Sequence, residues 1–126
     1  MRILVAFASA LLAGPSLADS VRHLSVPERF WGKWAPSAEL CRDDKSIIAV
    51  SSQGYATSQE NCEVQWVTET AGRDGPIYSA HMRCSSPDAP GQKTELNRLI
   101  VPKGDGQVSA GPDFNELKDF QRCPAN

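Results

Sequence analysis

Two segments in the middle of the chain alternate apolar and polar residues with a period of two. Even-numbered positions are mostly apolar both in residues 62–68 and in residues 77–84. Residues two apart on a β-strand point to the same side, so each segment predicts a strand with one face in the core. The residues between them, 70–76, are rich in glycine and other turn formers. The pattern therefore predicts a β-hairpin.

The register of this hairpin follows from its apolar faces. A turn centred on Arg73 produces these opposed pairs: Cys62 with Cys84, Val64 with Met82, Trp66 with Ala80, and Thr68 with Tyr78. Both apolar faces then coincide, and we expect Trp66, Tyr78 and Met82 to fill the core. Opposed residues are close enough for a disulfide. A slip by one residue would turn every side chain to the wrong face. The pattern favours a Cys62–Cys84 bond, which leaves Cys41 to pair with Cys123.

The remaining segments also read as β-structure. Predicted strands cover residues 46–51, 55–58, 96–101 (ending at Pro102) and 107–110, with a glycine-rich turn at 103–106. The last segment, 114–123, is either a short helix capped by Asp113 or a closing strand from Leu117. The fold class predicted is all-β: a small antiparallel barrel or sandwich stapled by two disulfides, with a short helical turn from Pro27 to Trp31.

The first residues predict export. Arg2 precedes an apolar run from Ile3 to Leu12, and Ser16-Leu17-Ala18 ends the segment with small residues, as in a cleavable signal peptide. We expect a signal peptide over 1–18, a loose N-terminal arm and helical turn over 19–30, and a single β domain over 31–126. The protein is then periplasmic or secreted.

The number of cysteines and the net charge narrow the class of protein. An even count of four cysteines in an exported chain predicts two disulfides. The alternative, a metal site, is not supported, because the sequence contains no Cys-x-x-Cys motif. The formal net charge is −2, without the basic face that nucleic-acid binding requires. No segment after the signal is apolar enough for membrane insertion.

The motif Gly32-Lys33-Trp34 resembles the lipocalins and their small bacterial relatives, among them short secreted inhibitors of metalloproteases. In that superfamily a Gly-x-Trp lies at the start of the first strand, and the tryptophan closes one end of the barrel. The resemblance implies that Trp34 is the closing residue and that Arg122 packs over it by a cation–π contact. Read without the resemblance, Trp34 is a core aromatic residue.

Sequence motifs for catalysis are missing. The chain has no Gly-x-Ser-x-Gly, His-Glu-x-x-His or phosphate-binding glycine loop. His81 alternates with the outward set of its strand, so we expect it on the solvated face. Asp105 lies among turn glycines and lacks the further ligands that calcium needs. We therefore expect no enzyme, no cofactor and no metal.

Two functions remain. The first is a partner-binding protein of the cell envelope, either an inhibitor or an accessory factor, whose N-terminal arm makes the contact. Its candidate contact residues are Arg22, His23, Leu24, Phe30 and Trp31. The alternative is a carrier of a small apolar ligand inside a lipocalin-like barrel, although a barrel of this size is often filled by its own side chains.

Overall fold

The structure, a computed structural model, describes residues 20–125. The predicted signal peptide lies outside the described residues. Within this range nine strands follow one another: β1 Val21–His23, β2 Gly32–Ala35, β3 Ile48–Val50, β4 Gly54–Ala56, β5 Asn61–Gly72, β6 Gly75–Ser86, β7 Ala89–Gly104, β8 Gln107–Gly111 and β9 Lys118–Arg122. Three short 3₁₀ turns, Glu28–Phe30, Glu39–Arg42 and Phe114–Glu116, join them.

Eight of these strands, β2 to β9, close an antiparallel barrel. The order of neighbours is β5-β4-β3-β2-β9-β8-β7-β6, and β6 pairs again with β5. The short strand β4 covers residues 61–63 at the start of β5. The strand β1 pairs with residues 67–69 of the same edge of β5. The prediction of a small antiparallel β-barrel with a short helical turn is confirmed.

Both predicted disulfides are present. Cys62 bonds to Cys84 across the β5–β6 hairpin, and Cys41 bonds to Cys123. Cys123 also donates its backbone N–H to the carbonyl of Lys33 at 2.8 Å, so the second bond fixes the chain where β9 ends. The first bond links the start of β5 to the end of β6.

The predicted hairpin register is correct only up to Val64. Cys62 opposes Cys84 and Val64 opposes Met82, but a bulge follows and Trp66 opposes His81. The predictions that Trp66 faces Ala80 and that Thr68 faces Tyr78 are wrong. The bulge adds one residue to β5 and reverses its alternation, so Val67 takes the inward position and is 1% exposed. Trp66 therefore lies on the outer surface, and the turn is centred between residues 73 and 74.

Two other segments differ from the prediction. Strand β7 continues through Pro102 to Gly104. Its pairing with β6 ends at Ile100, and beyond that point β8 is its paired neighbour. Proline is tolerated in such an edge segment. The last segment combines both predicted alternatives, since Asp113 caps a 3₁₀ turn through the N–H of Asn115 before β9 begins.

The N-terminal arm is not loose over its described part. Strand β1 is hydrogen-bonded to β5, and Val26 is 3% exposed and donates its N–H to the carbonyl of Ser52. The expectation of a loose arm before the helical turn is therefore wrong for the described residues. The side chains of Val26 and Phe30 lie in the core and anchor the segment there. The other residues of the segment lie at the surface or are partly buried.

The inward faces of the strands fill the barrel. The buried cluster consists of Val26, Phe30, Trp34, Ile48, Tyr55, Cys62, Val64, Val67, Tyr78, Ala80, Met82, Cys84 and Val108. The 3₁₀ turn Glu28–Phe30 covers one end of the barrel, which we call the closed end. At the other end β3, β5 and β9 begin and β4 and β8 finish. We call this the open end.

Candidate functional site

The closed end is built around Trp34 and Arg122. Trp34 is 5% exposed, and its indole N–H donates to the carbonyl of Phe30 at 2.9 Å. Arg122 opposes it on β9, with the guanidinium carbon 4.4 Å from the centre of the Trp34 ring. The same guanidinium donates to the backbone carbonyls of Trp31 and Arg29. These contacts hold the 3₁₀ turn over the barrel.

Gly32 of the Gly-x-Trp motif is required by this arrangement. Its φ is +124°, in a region that other residues rarely adopt. A Cβ at this position would also lie 3.0 Å from Nη1 of Arg122. The glycine thus allows both the backbone conformation and the approach of the arginine.

The predicted contact residues of the N-terminal segment have different environments. Leu24 is 77% exposed and Trp31 is 39% exposed, whereas Phe30 is 3% exposed and packs edge-on against Tyr78. Phe30 is therefore a core residue, and its prediction as a contact residue is wrong because a partner cannot reach it. His23 is hydrogen-bonded to Glu69 at 2.8 Å, with a third of each side chain exposed. Trp31 donates its indole N–H to the carbonyl of Val26.

Arg22 belongs to a stack on the outer wall of the barrel. Its guanidinium lies over the ring of Trp66, 4.5 Å from the centre. Trp66 stacks in turn on His81, with ring centres 4.1 Å apart and planes inclined by 11°. Nδ1 of His81 is 3.0 Å from Oδ1 of Asn97 on β7. The row runs across four strands and presents a cationic and aromatic surface, and the exposed Leu24 follows Arg22 by two residues.

The open end contains a cavity of about 750 Å³. Its apolar floor includes Ile48, Tyr55 and Phe120. Its walls and rim carry polar side chains, two of them on strands β7 and β9 (Arg98 and Lys118) and the others on the segments between strands: Lys45, Ser46, Thr57, Ser58, Gln59, Glu60 and Glu116. Below the floor, toward Trp34 and Phe30, the interior has a further void of only about 30 Å³.

Arg98 is a charged cavity residue that lies on a barrel strand, β7. It opposes Ala80 on β6, and Ala80 is 3% exposed in the core, so Arg98 faces into the barrel. Its Nη2 is 3.5 Å from Oε2 of Glu60, and its guanidinium carbon is 5.9 Å from the centre of the Tyr55 ring. Burial raises the pKa of Tyr55, an effect that Arg98 partly opposes.

The rim of the cavity is fixed by local hydrogen bonds. Asp43 accepts from the hydroxyl of Ser46 at 2.8 Å and from the N–H of Lys45 at 3.2 Å. The Ser46 hydrogen bond, followed by that of Lys45, lowers the pKa of the Asp43 carboxyl. The loop that carries Lys45 into the cavity wall is thereby held in one conformation.

One group of side chains has metal-like spacing. The ligand atoms of Glu60, Cys62 and Cys84 lie within 4.8 Å of one another. Both sulfur atoms are engaged in the disulfide, and a metal needs thiolate sulfur. The group therefore offers a metal a single carboxylate.

Arg98 is the candidate site residue that sequence reasoning missed. Its neighbours Leu96 and Ile100 pack against the core, so the inward positions of β7 read apolar, cationic, apolar. A charge between two apolar inward positions was the available signal.

No family model matches the chain, and comparisons with curated proteins and with solved structures find no match either. No helix among residues 20–125 has the length and apolarity needed to cross a bilayer. The two disulfides indicate an oxidising compartment.

Proposed function

We propose that this protein is exported to the periplasm or the medium and binds another protein there, as an inhibitor or accessory factor. The contact is made by the outer surface around β1, the docking surface, formed by Arg22, Leu24, Trp31 and Trp66. The observation that carries the proposal is the 77% exposure of Leu24, two residues after the arginine of the Arg22–Trp66 stack. Signal cleavage after Ala18 is part of the same proposal.

The residue types of the docking surface suit protein recognition. Tryptophan and arginine are enriched among the residues that dominate binding energy at protein interfaces. The Trp66 ring is held between Arg22 and His81, so binding immobilises few additional rotamers. We propose a partner that offers an apolar pocket to Leu24 and a carboxylate to Arg22.

The strand β1 changes how the N-terminal segment would act. Its backbone pairs with β5 and Val26 is in the core, so the segment docks as part of a rigid surface. A lipocalin-like barrel is proposed on the eight-stranded closure, the Gly32-Lys33-Trp34 motif at the closed end, and the Arg122–Trp34 contact. Carriage of a wholly apolar ligand in the deep interior beside Trp34 and Phe30 is less favoured, because the void there of about 30 Å³ holds about one water molecule.

A photo-crosslinking residue at position 24 tests the proposal in cells that export the protein. We expect one protein to be captured from position 24 and not from position 114. Phe114 is a matched control because it is 62% exposed and apolar but lies beside β9. Equal capture at both positions, or none at position 24, would contradict the proposal.

The captured protein is then purified and its affinity measured for three variants. Leu24→Ser and Arg22→Gln should each weaken binding about tenfold or more, as expected for central interface residues. Phe114→Ser should leave the affinity within about twofold of the unsubstituted protein. These point changes are preferable to deletion of residues 19–26, which would also remove Val26 from the core.

A further inference from the structure

The cavity at the open end holds a cation whose pairing is incomplete. Arg98 has one hydrogen bond among the described residues, from Nη2 to Glu60 at a long 3.5 Å. Its Nε is buried and has no hydrogen-bond partner there. A guanidinium has five N–H donors, and an ion inside a protein is costly unless it is paired and hydrogen-bonded.

The Arg98 side chain is partly accessible from the cavity. A quarter of the Arg98 side chain, 26%, is exposed, and because Nε is covered the exposed part belongs to its other atoms. Arg98 lines the cavity directly. A ligand entering from the open end can therefore reach the arginine without movement of the barrel strands.

Charge and shape define the ligand that fits. The cavity is lined by three cationic side chains, Lys45, Arg98 and Lys118, and two acidic ones, Glu60 and Glu116, although the whole chain has a net charge of −2. The floor is apolar. Its volume of about 750 Å³ is within the usual range of small-molecule sites.

We infer that the open-end cavity binds a small carboxylic acid with a short apolar body. Its carboxylate accepts hydrogen bonds from the Arg98 guanidinium, whose planar donors match a carboxylate. Its body lies against Ile48, Tyr55 and Phe120. This site is separate from the docking surface, and the inference does not depend on the proposed function.

Calorimetry with octanoate, octanol and octylammonium tests this site, because the three probes share one apolar chain. Octanoate should bind about tenfold or more tightly than octanol, which lacks the charge-assisted hydrogen bonds. Octylammonium should bind most weakly, since it meets the positive charge of Arg98. Equal binding of octanoate and octanol, or no binding of octanoate, overturns the inference.

Two substitutions should change octanoate affinity in opposite directions. Arg98→Gln should weaken binding about tenfold or more, whereas Glu60→Gln should strengthen it because it removes the carboxylate that competes for Arg98. Arg83→Gln is the matched control, as Arg83 is 54% exposed on the outer wall near Glu95. Unchanged affinity in Arg98→Gln, or weaker binding in Glu60→Gln, overturns the inference.

The wild-type protein offers an independent readout should Arg98→Gln fold poorly. In an NMR titration with octanoate, the Arg98 Nε–H resonance should shift and that of Arg83 should stay in place. A peptide with a free C-terminal carboxylate and the same peptide amidated are titrated in parallel. If the free-carboxylate peptide binds more tightly than octanoate, the assignment to a small acid is overturned, and the ligand is the C-terminus of a protein.

Discussion

Each end of the barrel places an arginine against an aromatic ring, and the two arginines differ in the hydrogen bonds that their guanidinium groups make within the protein. At the closed end Arg122 lies 4.4 Å from the Trp34 ring centre and donates to two backbone carbonyls. At the open end Arg98 lies 5.9 Å from the Tyr55 ring centre and meets one carboxylate at 3.5 Å. Among the described residues, the first arginine donates two hydrogen bonds to backbone carbonyls, whereas the second donates one long hydrogen bond to a carboxylate.

This difference suggests that Arg122 stabilises the fold, whereas Arg98 is available for binding. Arg122 satisfies carbonyls of the turn that covers the barrel, so its removal exposes unpaired backbone groups. Arg98 stands in a cavity that water can enter, where its loss relieves a costly charge as well as breaking a weak contact. The comparison predicts that changes at the closed end reduce stability and that changes at the open end alter binding.

The largest expected effect concerns the two disulfides. Removing Cys41–Cys123, which spans 82 residues and fixes the end of β9, should cost about 4.5 kcal/mol, and removing Cys62–Cys84, which spans 22, about 3.5 kcal/mol. Urea unfolding of the Cys41→Ser/Cys123→Ser and Cys62→Ser/Cys84→Ser proteins measures both. A Cys41→Ser/Cys123→Ser protein with unchanged stability would contradict the view that this bond holds the closed end.

The second prediction compares the arginines themselves. Arg122→Met should lower the free energy of unfolding by about 1–3 kcal/mol, because two charge-assisted hydrogen bonds to backbone are lost. Arg98→Met should stay within about 1 kcal/mol of the unsubstituted protein, since an apolar side chain can replace a partly paired buried ion. Exposed Arg42→Met serves as control. Equal losses in Arg122→Met and Arg98→Met would remove the distinction between the two ends.

The third prediction compares Gly32 at the closed end of the barrel with Gly91 near the start of β7. Gly32→Ala should destabilise by about 1–2 kcal/mol, because it places a side chain at φ +124° and brings Cβ within 3.0 Å of Arg122. Gly91→Ala, near the start of β7, should be neutral or slightly stabilising, as its Cβ would meet no atom within 4 Å. Thermal melts of the two variants decide this; similar melting temperatures would contradict the role assigned to Gly32.

Much of the framework could be predicted because its signals are local or paired. The Cys62–Cys84 bond followed from parity, since the register that joins the cysteines also aligns Val64 with Met82. The second disulfide followed by elimination. The predicted strands and turns were placed by alternation and by glycine clusters, which act over a few residues.

The sequence did not reveal the position of the bulge in β5 or that Arg98 faces into the barrel. Trp66 and Val67 are adjacent apolar residues, and either one can continue the inward face, so alternation alone does not reveal the bulge before Trp66. Arg98 is inward only because β7 pairs with β6 in the observed register. Its contact with Glu60 joins residues 38 positions apart, which strand parity within one hairpin does not determine.

The smallest expected effect appears only at alkaline pH and concerns Tyr55 in the floor of the open-end cavity. Burial raises the pKa of this phenol in the folded protein, so the neutral form is favoured by folding. The corresponding stability is fully present below the unfolded pKa of about 10 and is lost as pH rises through the folded value. Tyr55→Phe cannot ionise, so it should show stability close to the unsubstituted protein at neutral pH and a smaller loss above about pH 10. Urea unfolding of both proteins across this range isolates the difference, because their lysines are the same; parallel curves would mean that the floor of the open end is hydrated enough to ionise freely.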